Sequence, residues 1–336
     1  MPSPLRARCL ALAAATLVAA CDDDTDETYY LGAVDASPAA DAAPPDVAVD
    51  SPALSSLAFT PCAVAPIEGP DPLAVVRSVA ALQSRLIVAS HDAVLAFTLD
   101  TDACPAEPIA AFGQNGRVPI AAVAAAPLPA GRAIVAASNR TLLLGSDGSE
   151  AGTCQSQSAD VRVRWLASND DGHALGVFVR SPLLTFATDL GNPASCEVAP
   201  VALPDQPLAV LAVAPAPDAQ SFVAVEQQTS TAPLALARYD LTGARIATST
   251  ALPYPLGLCS ASGLVVTHDT VVVADGACGR VVAFDGASLA PSGEALLDGA
   301  PRGLAWPGGN RVLTAVARAT GAGAEARFVS IELPAR

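Results

Sequence analysis

Six apolar runs, each ending on an acid, recur at intervals of 42 to 51 residues and predict an all-β chain, a six-bladed β-propeller with seven blades as the alternative. The acids are Asp100 in VLAFTLD, Asp147 in LLLGSD, Asp189 in LLTFATD, Asp240 in LALARYD, Asp285 in RVVAFD and Glu332 in RFVSIEL. Two further observations agree. Beyond residue 56 the chain alternates Val, Leu and Ala runs with turns of Gly, Pro, Asp and Asn, and no long stretch carries helical spacing. Only four residues follow Glu332, too few for a last outer strand, while Ser56 to Val64 offers a surplus strand ahead of the first unit. Pairing that segment into the last blade closes the ring and removes two open edges.

The amino-terminal elements are of another kind. In residues 1–20, Arg6 and Arg8 precede an apolar run from Cys9 to Ala20, the pattern of a signal peptide. A spanning helix needs roughly 20 apolar residues, and this run is shorter. Val18, Ala19, Ala20 and Cys21 resemble the lipobox of bacterial lipoproteins. That resemblance implies cleavage before Cys21 and lipidation of its thiol and freed amine. It also implies a place in the bacterial cell envelope, lipid-anchored to a membrane and facing the periplasm or the cell surface. Several acyl chains make such anchoring stable. Residues 21–55 then hold nine acids, no base, and Pro38, Pro44, Pro45 and Pro52. This composition predicts a disordered acidic linker, with the propeller over 56–336.

The whole chain has 18 basic residues, all arginine, against 33 acids, for a net charge of -15. Removing the leader takes two of the bases and no acid. Such a balance excludes nucleic acid as a partner, because phosphate binding needs a basic patch. Anionic headgroups are disfavoured for the same reason.

Within each unit the second strand is read at Leu86 to Ala89, Arg132 to Ala137, Leu175 to Val179, Ser221 to Val225, Val271 to Ala274 and Arg311 to Val316. The acid-terminated runs are third strands. In the fifth unit, Pro255, Leu256, Gly257 and Leu258 followed by VVVADGACGRVVAFD resemble an NHL or YVTN-type repeat. Pro301, Arg302, Gly303, Leu304 and Ala305 echo it in the sixth.

With Cys9 removed and Cys21 lipidated, six cysteines remain, and an even number in an oxidising compartment predicts disulfides. Cys259 and Cys278 fall on connections at the same face of one blade and are expected to pair. Cys62, Cys104, Cys154 and Cys196 are further disulfide candidates. Equivalent rim positions on neighbouring blades are expected to lie far apart, whereas a disulfide needs Cα atoms within about 7 Å, so these four stay without assigned partners.

No catalytic constellation stands out. His91, His173 and His268 each lie beside Asp in turns, on two different faces, and are expected to be solvated. No serine sits in a nucleophile elbow, and no carboxylates form an acid and base pair. Glu68, Gly69 and Pro70 resemble the early Glu-Gly-Pro of the SMP-30/gluconolactonase family of six-bladed lactonases. That resemblance implies a divalent metal, Ca2+ or Zn2+, held by Glu68. The later metal-binding motifs of the family are missing, because Leu256 and Arg302 stand where Asn and Asp are needed. The expectation is therefore a non-enzymatic binding module without cofactor, recognising an unknown envelope protein or small ligand. A metal-dependent lactonase is the alternative.

Overall fold

The computed structural model describes residues 54–334 apart from 138–139, 155–162, 170–172, 179–183, 189–191, 193–194, 204–206 and 250–256. Cys21 and the rest of residues 1–53 lie outside the described residues, as do Asp189, Pro255 and Leu256. Among the described residues, no helix is long and apolar enough to cross a membrane.

Three short strands come first: β1 (Ser55–Ser56), β2 (Phe59–Pro61) and β3 (Ile67–Gly69). The first sheet comprises β4 (Ser78–Leu82), β5 (Arg85–Ala89), β6 (Val94–Leu99), β7 (Pro105–Pro108) and β8 (Arg117–Val118), the last paired with β6. The second comprises β9 (Ala122–Pro127), β10 (Ala133–Ala137), β11 (Thr141–Leu144) and β12 (Glu150–Cys154). The third contains β13 (Val163–Ser168), β14 (His173–Phe178), β15 (Leu184–Thr188) and β16 (Cys196–Pro200). The fourth contains β17 (Ala209–Pro215), β18 (Ser221–Gln227), β19 (Ala235–Asp240) and β20 (Arg245–Thr248). The fifth runs through β21 (Gly263–Val266), β22 (Thr270–Asp275), β23 (Arg280–Asp285) and β24 (Pro291–Leu296). The sixth is formed by β25 (Ala300–Ala305), β26 (Arg311–Thr320) and β27 (Gly323–Glu332). Within each sheet, consecutive strands pair antiparallel.

The acids that mark the repeat act through local turn chemistry. Asp100 Oδ1 accepts the backbone N–H groups of Asp102 and Cys104, each at 2.9 Å. Asp240 Oδ1 accepts those of Thr242 and Ala244, and Asp285 Oδ1 those of Ala287 and Ser288. Asp147 accepts both the N–H and the hydroxyl of Ser149. Each carboxylate thus folds the chain from a third strand towards the outer one. Hydrogen bonds to the charged form hold Asp147 and Asp240 below the usual aspartate range, those from Ser149 and Thr242 first among them.

The expected six blades, with seven as the alternative, are corrected to a β-propeller with five blades around its axial cavity. Chain closure uses more than one surplus strand: β1 adds parallel to β24, while β2 and β3 both pair antiparallel with β27. The sheets are also unequal about the axis. Inner strands β4, β13, β17, β21 and β25 frame the axial cavity, so five sheets line it. The remaining inner strand, β9, is sealed off by its neighbours. Ser78 Oγ accepts the Ala125 N–H at 2.9 Å, and Ser168 Oγ donates to the Pro127 carbonyl. Ala124, Ala125 and Ala126 are essentially buried, and no residue of β9 lines the cavity.

Apolar side chains between adjacent sheets form the core. Val271, Val273, Val282 and Phe284 pack with Val223, Val225 and Leu236, and Leu86 and Val88 pack with Leu313, Ala315 and Phe328. Close approach decides one position. Gly303 has φ +66°, and a Cβ there would sit 2.3 Å from the Val79 nitrogen. Gly303→Ala is expected to cost about 3 kcal/mol, combining backbone strain with overpacking, measured as a shift in the urea midpoint.

Two buried carboxylates close the ends of second strands. Glu226, fully buried, accepts from the Tyr239 hydroxyl, from Arg245 Nη2 at 2.8 Å and from Gln228 Nε2 at 2.7 Å. Burial and the neighbouring carboxylate raise the Tyr239 phenol well above its ordinary range. Asp275, also fully buried, accepts the N–H groups of Cys259 and Ser260, the Ser260 hydroxyl and Arg280 Nε.

Among the described residues, three disulfides are formed. Cys259–Cys278 lies beside Asp275, within the fifth repeat. The expectation that the other four cysteines are too far apart across neighbouring blades is overturned: Cys62 pairs with Cys104 and Cys154 with Cys196, at Cα separations of 5.5 and 5.1 Å. In both pairs the first cysteine ends or follows an outer strand, and the second begins or precedes the next outer strand. Sheet twist of roughly 20–25° per strand accumulates across each blade, so the end of one outer strand meets the start of the next.

Candidate functional site

The axial cavity has a volume of about 480 Å³. Its walls are the inner strands, which reach it with Ala80, Ala167, Ala214, Val265, Leu304 and similar small apolar groups. Turns between first and second strands form its rim, bringing Gln83, Asn169, Ala219, His268 and Gly308 to one mouth. None of the lining residues is Asp, Glu or Arg, although the chain carries 33 acids. Both tryptophans of the chain lie there. Trp165 is held by its indole N–H, which donates to the Val213 carbonyl at 2.7 Å. Trp306 donates to the Gly309 carbonyl at 3.0 Å and meets His268 edge to face, with ring centroids 5.2 Å apart. His268, expected as a solvated turn residue, is therefore exposed but also part of an aromatic rim.

The other sequence candidates do not converge here. His91 stands in the turn after β5, 3.7 Å from Asp92, and His173 begins β14. Glu68 lies exposed on β3, directly opposite Glu325 of β27, and contributes nothing to the cavity. Arg302 occupies β25. Among the described residues, these candidates therefore do not fit a Ca2+ or Zn2+ centre of the lactonase type, which requires several converging oxygen ligands.

One other cluster has metal-like composition. Ligand atoms of Cys259, Asp275 and Cys278 lie within 4.8 Å of one another. The two thiols are joined in a disulfide, and the carboxylate is saturated by four donors, so this cluster fits a structural brace. Its sequence signature was the cysteine pair. The cavity left a fainter signal, the presence of just two tryptophans, and nothing in local sequence places them on one axis.

No family model and no curated protein sequence matches the chain. Solved structures do resemble it. A calcium-binding protein, regucalcin, from Agrobacterium tumefaciens strain C58 is 12% identical with a TM-score of 0.54, covering 84% of this chain and 98% of that one. The chain is a β-propeller. Kuenenia stuttgartiensis hydrazine synthase has a TM-score of 0.49 at 12% identity, covering 72% of this chain and 80% of that one. The propeller domain of Cps50 (Swd1) from Myceliophteria thermophila has a TM-score of 0.49 at 9% identity, covering 81% of this chain and all of that one. The propeller likeness carries fold, while activity must come from the site.

Proposed function

We propose that this propeller is a lipid-anchored binding module of the bacterial envelope, taking a small, largely apolar ligand into its axial cavity. The observation that carries this reading is a cavity of about 480 Å³ with no acidic or arginine side chain and both tryptophans. Its volume lies within the range of small-molecule sites, and apolar walls with a few polar rim groups are their usual composition. Cys21 and the acidic segment after it support the anchoring part of the reading.

Each part has its own test. The full chain carrying Cys21→Ser, in detergent-free buffer, is expected to bind the neutral probe N-phenyl-1-naphthylamine saturably, with energy transfer from tryptophan. Ala216→Trp, which fills the cavity, is expected to weaken that binding at least about tenfold. Probe fluorescence that rises without saturation, and equally in the filled variant, overturns the cavity as the site. For anchoring, the native chain is expected in the membrane fraction and Cys21→Ala in the soluble one. Membrane association unaffected by Cys21→Ala defeats that part.

A further inference from the structure

Most of the polar side chains that line the axial cavity are already engaged within the protein. Ser78 Oγ accepts from Ala125 and Ser168 Oγ donates to Pro127, both in sealing β9. The indole N–H groups of Trp165 and Trp306 donate to the Val213 and Gly309 carbonyls, and Asn169 has a partner of its own. Two groups are left over. Among the described residues, neither the Gln83 carboxamide nor the His268 imidazole makes a hydrogen bond, and both residues are exposed at the mouth.

These two lie on one arc of the rim. His268, in the turn between β21 and β22, meets Trp306 with ring centroids 5.2 Å apart. Pro307 and Gly308 follow Trp306 in the turn between β25 and β26, and together with Gln83 they also border a second depression of about 270 Å³. Its lining charges are engaged. Asp100 Oδ1 accepts two backbone N–H groups, and Arg311 pairs with Asp102 at 3.6 Å and with Glu332 at 3.9 Å.

Backbone geometry adds a further observation at Gln83. With Ser84 it forms the two-residue turn between the paired Leu82 and Arg85, and its φ is +54°. This left-handed conformation favours glycine, so a longer side chain there is strained. Such strain gathers at ligand sites. Ala219 on the same rim shares the φ, but Gln83 couples it to a hydrogen-bonding side chain.

Resting on the reading of the cavity as a ligand site, we infer that the ligand is an uncharged amphiphile, its hydroxyl-bearing head hydrogen-bonded by Gln83 and His268 at the mouth and its apolar body lying along the inner strands. A carboxamide and a neutral imidazole each donate and accept, which matches hydroxyl groups. A charged head loses water against a lining that offers it no opposite charge. Ser78 to Gln83 line the wall in succession and rise about 17 Å as β-strand, longer than an eight-carbon chain.

The test uses three amphiphiles that share an octyl chain and differ in the head: octyl glucoside, octyl sulfate and octyltrimethylammonium. Each competes with N-phenyl-1-naphthylamine for the full chain carrying Cys21→Ser, below its micelle threshold and at about 0.15 M salt, which screens the net charge of the protein. Octyl glucoside is expected to displace half of the probe at a concentration at least about tenfold lower than either ion. Gln83→Gly is expected to raise the urea midpoint, by relieving the left-handed backbone, and yet to weaken octyl glucoside at least about fivefold. A merely structural role for Gln83 moves only the first of these. Displacement by either ion at an equal or lower concentration overturns the uncharged head and leaves the cavity reading standing. Probe binding that does not saturate overturns both. A Gln83→Gly variant that is more stable but binds octyl glucoside unchanged overturns the part given to Gln83.

Discussion

Asp275→Ala is expected to lower the unfolding free energy by about 4 kcal/mol, because it strands a buried cation and two backbone donors together. Arg280 is only 7% exposed at its side chain and pairs with Asp275 at 3.3 Å. It also pairs with Glu294 at 3.3 Å and donates to the Gly257 carbonyl. Removing the carboxylate leaves the N–H groups of Cys259 and Ser260 without their acceptor. Replacing both partners, Asp275→Ala with Arg280→Met, is expected to recover part of the loss, since an apolar pair carries no desolvation penalty. Urea denaturation of the two single variants and the double variant measures the coupling. Additive losses show that the pair does not work as a unit.

Loss of the Cys62–Cys104 bridge has an effect of similar size by a different route. The bridge spans a sequence separation of 42, and chain entropy assigns such a loop about 4 kcal/mol. Cys154–Cys196 spans the same separation, so Cys154→Ser with Cys196→Ser is expected to cost the same by that term. The consequences differ in kind. Cys62 follows β2, which covers Val329 to Ile331 of β27. Cutting the bridge releases a closing strand and exposes a sheet edge, which templates association. Cys62→Ser with Cys104→Ser is therefore expected to lower the urea midpoint and to promote aggregation, seen by light scattering under mild denaturation. The other double variant is expected to lower the midpoint alone. Equal scattering from both refutes a closing role for Cys62–Cys104.

Much of this architecture was legible because its signals are local. The period of acids could be read since each Asp needs only the next two to four residues to make its turn, as Asp100 and Asp240 do. The Cys259–Cys278 bridge was readable for a related reason, a separation of 19 residues within one repeat. The bridges between sheets were not, because their geometry depends on twist accumulated across whole sheets. Sealing of β9 was also illegible. It depends on Ser78 and Ser168, 47 and 41 residues from the atoms they bond.

The candidate site divides the same way. Glu68 attracted notice through a local motif, yet β3 carries it to the periphery opposite Glu325. Trp165 and Trp306 are far apart in sequence and carry no motif, but ring closure sets them around one cavity. Sequence alone determined strands, turns, charge balance and the resemblance at Cys21, all properties of neighbouring residues. Tertiary structure decided which strands frame the axis, which cysteines meet, and that no acid or arginine lines the cavity. Those outcomes depend on the curvature and closure of the sheets, which no short stretch of chain encodes.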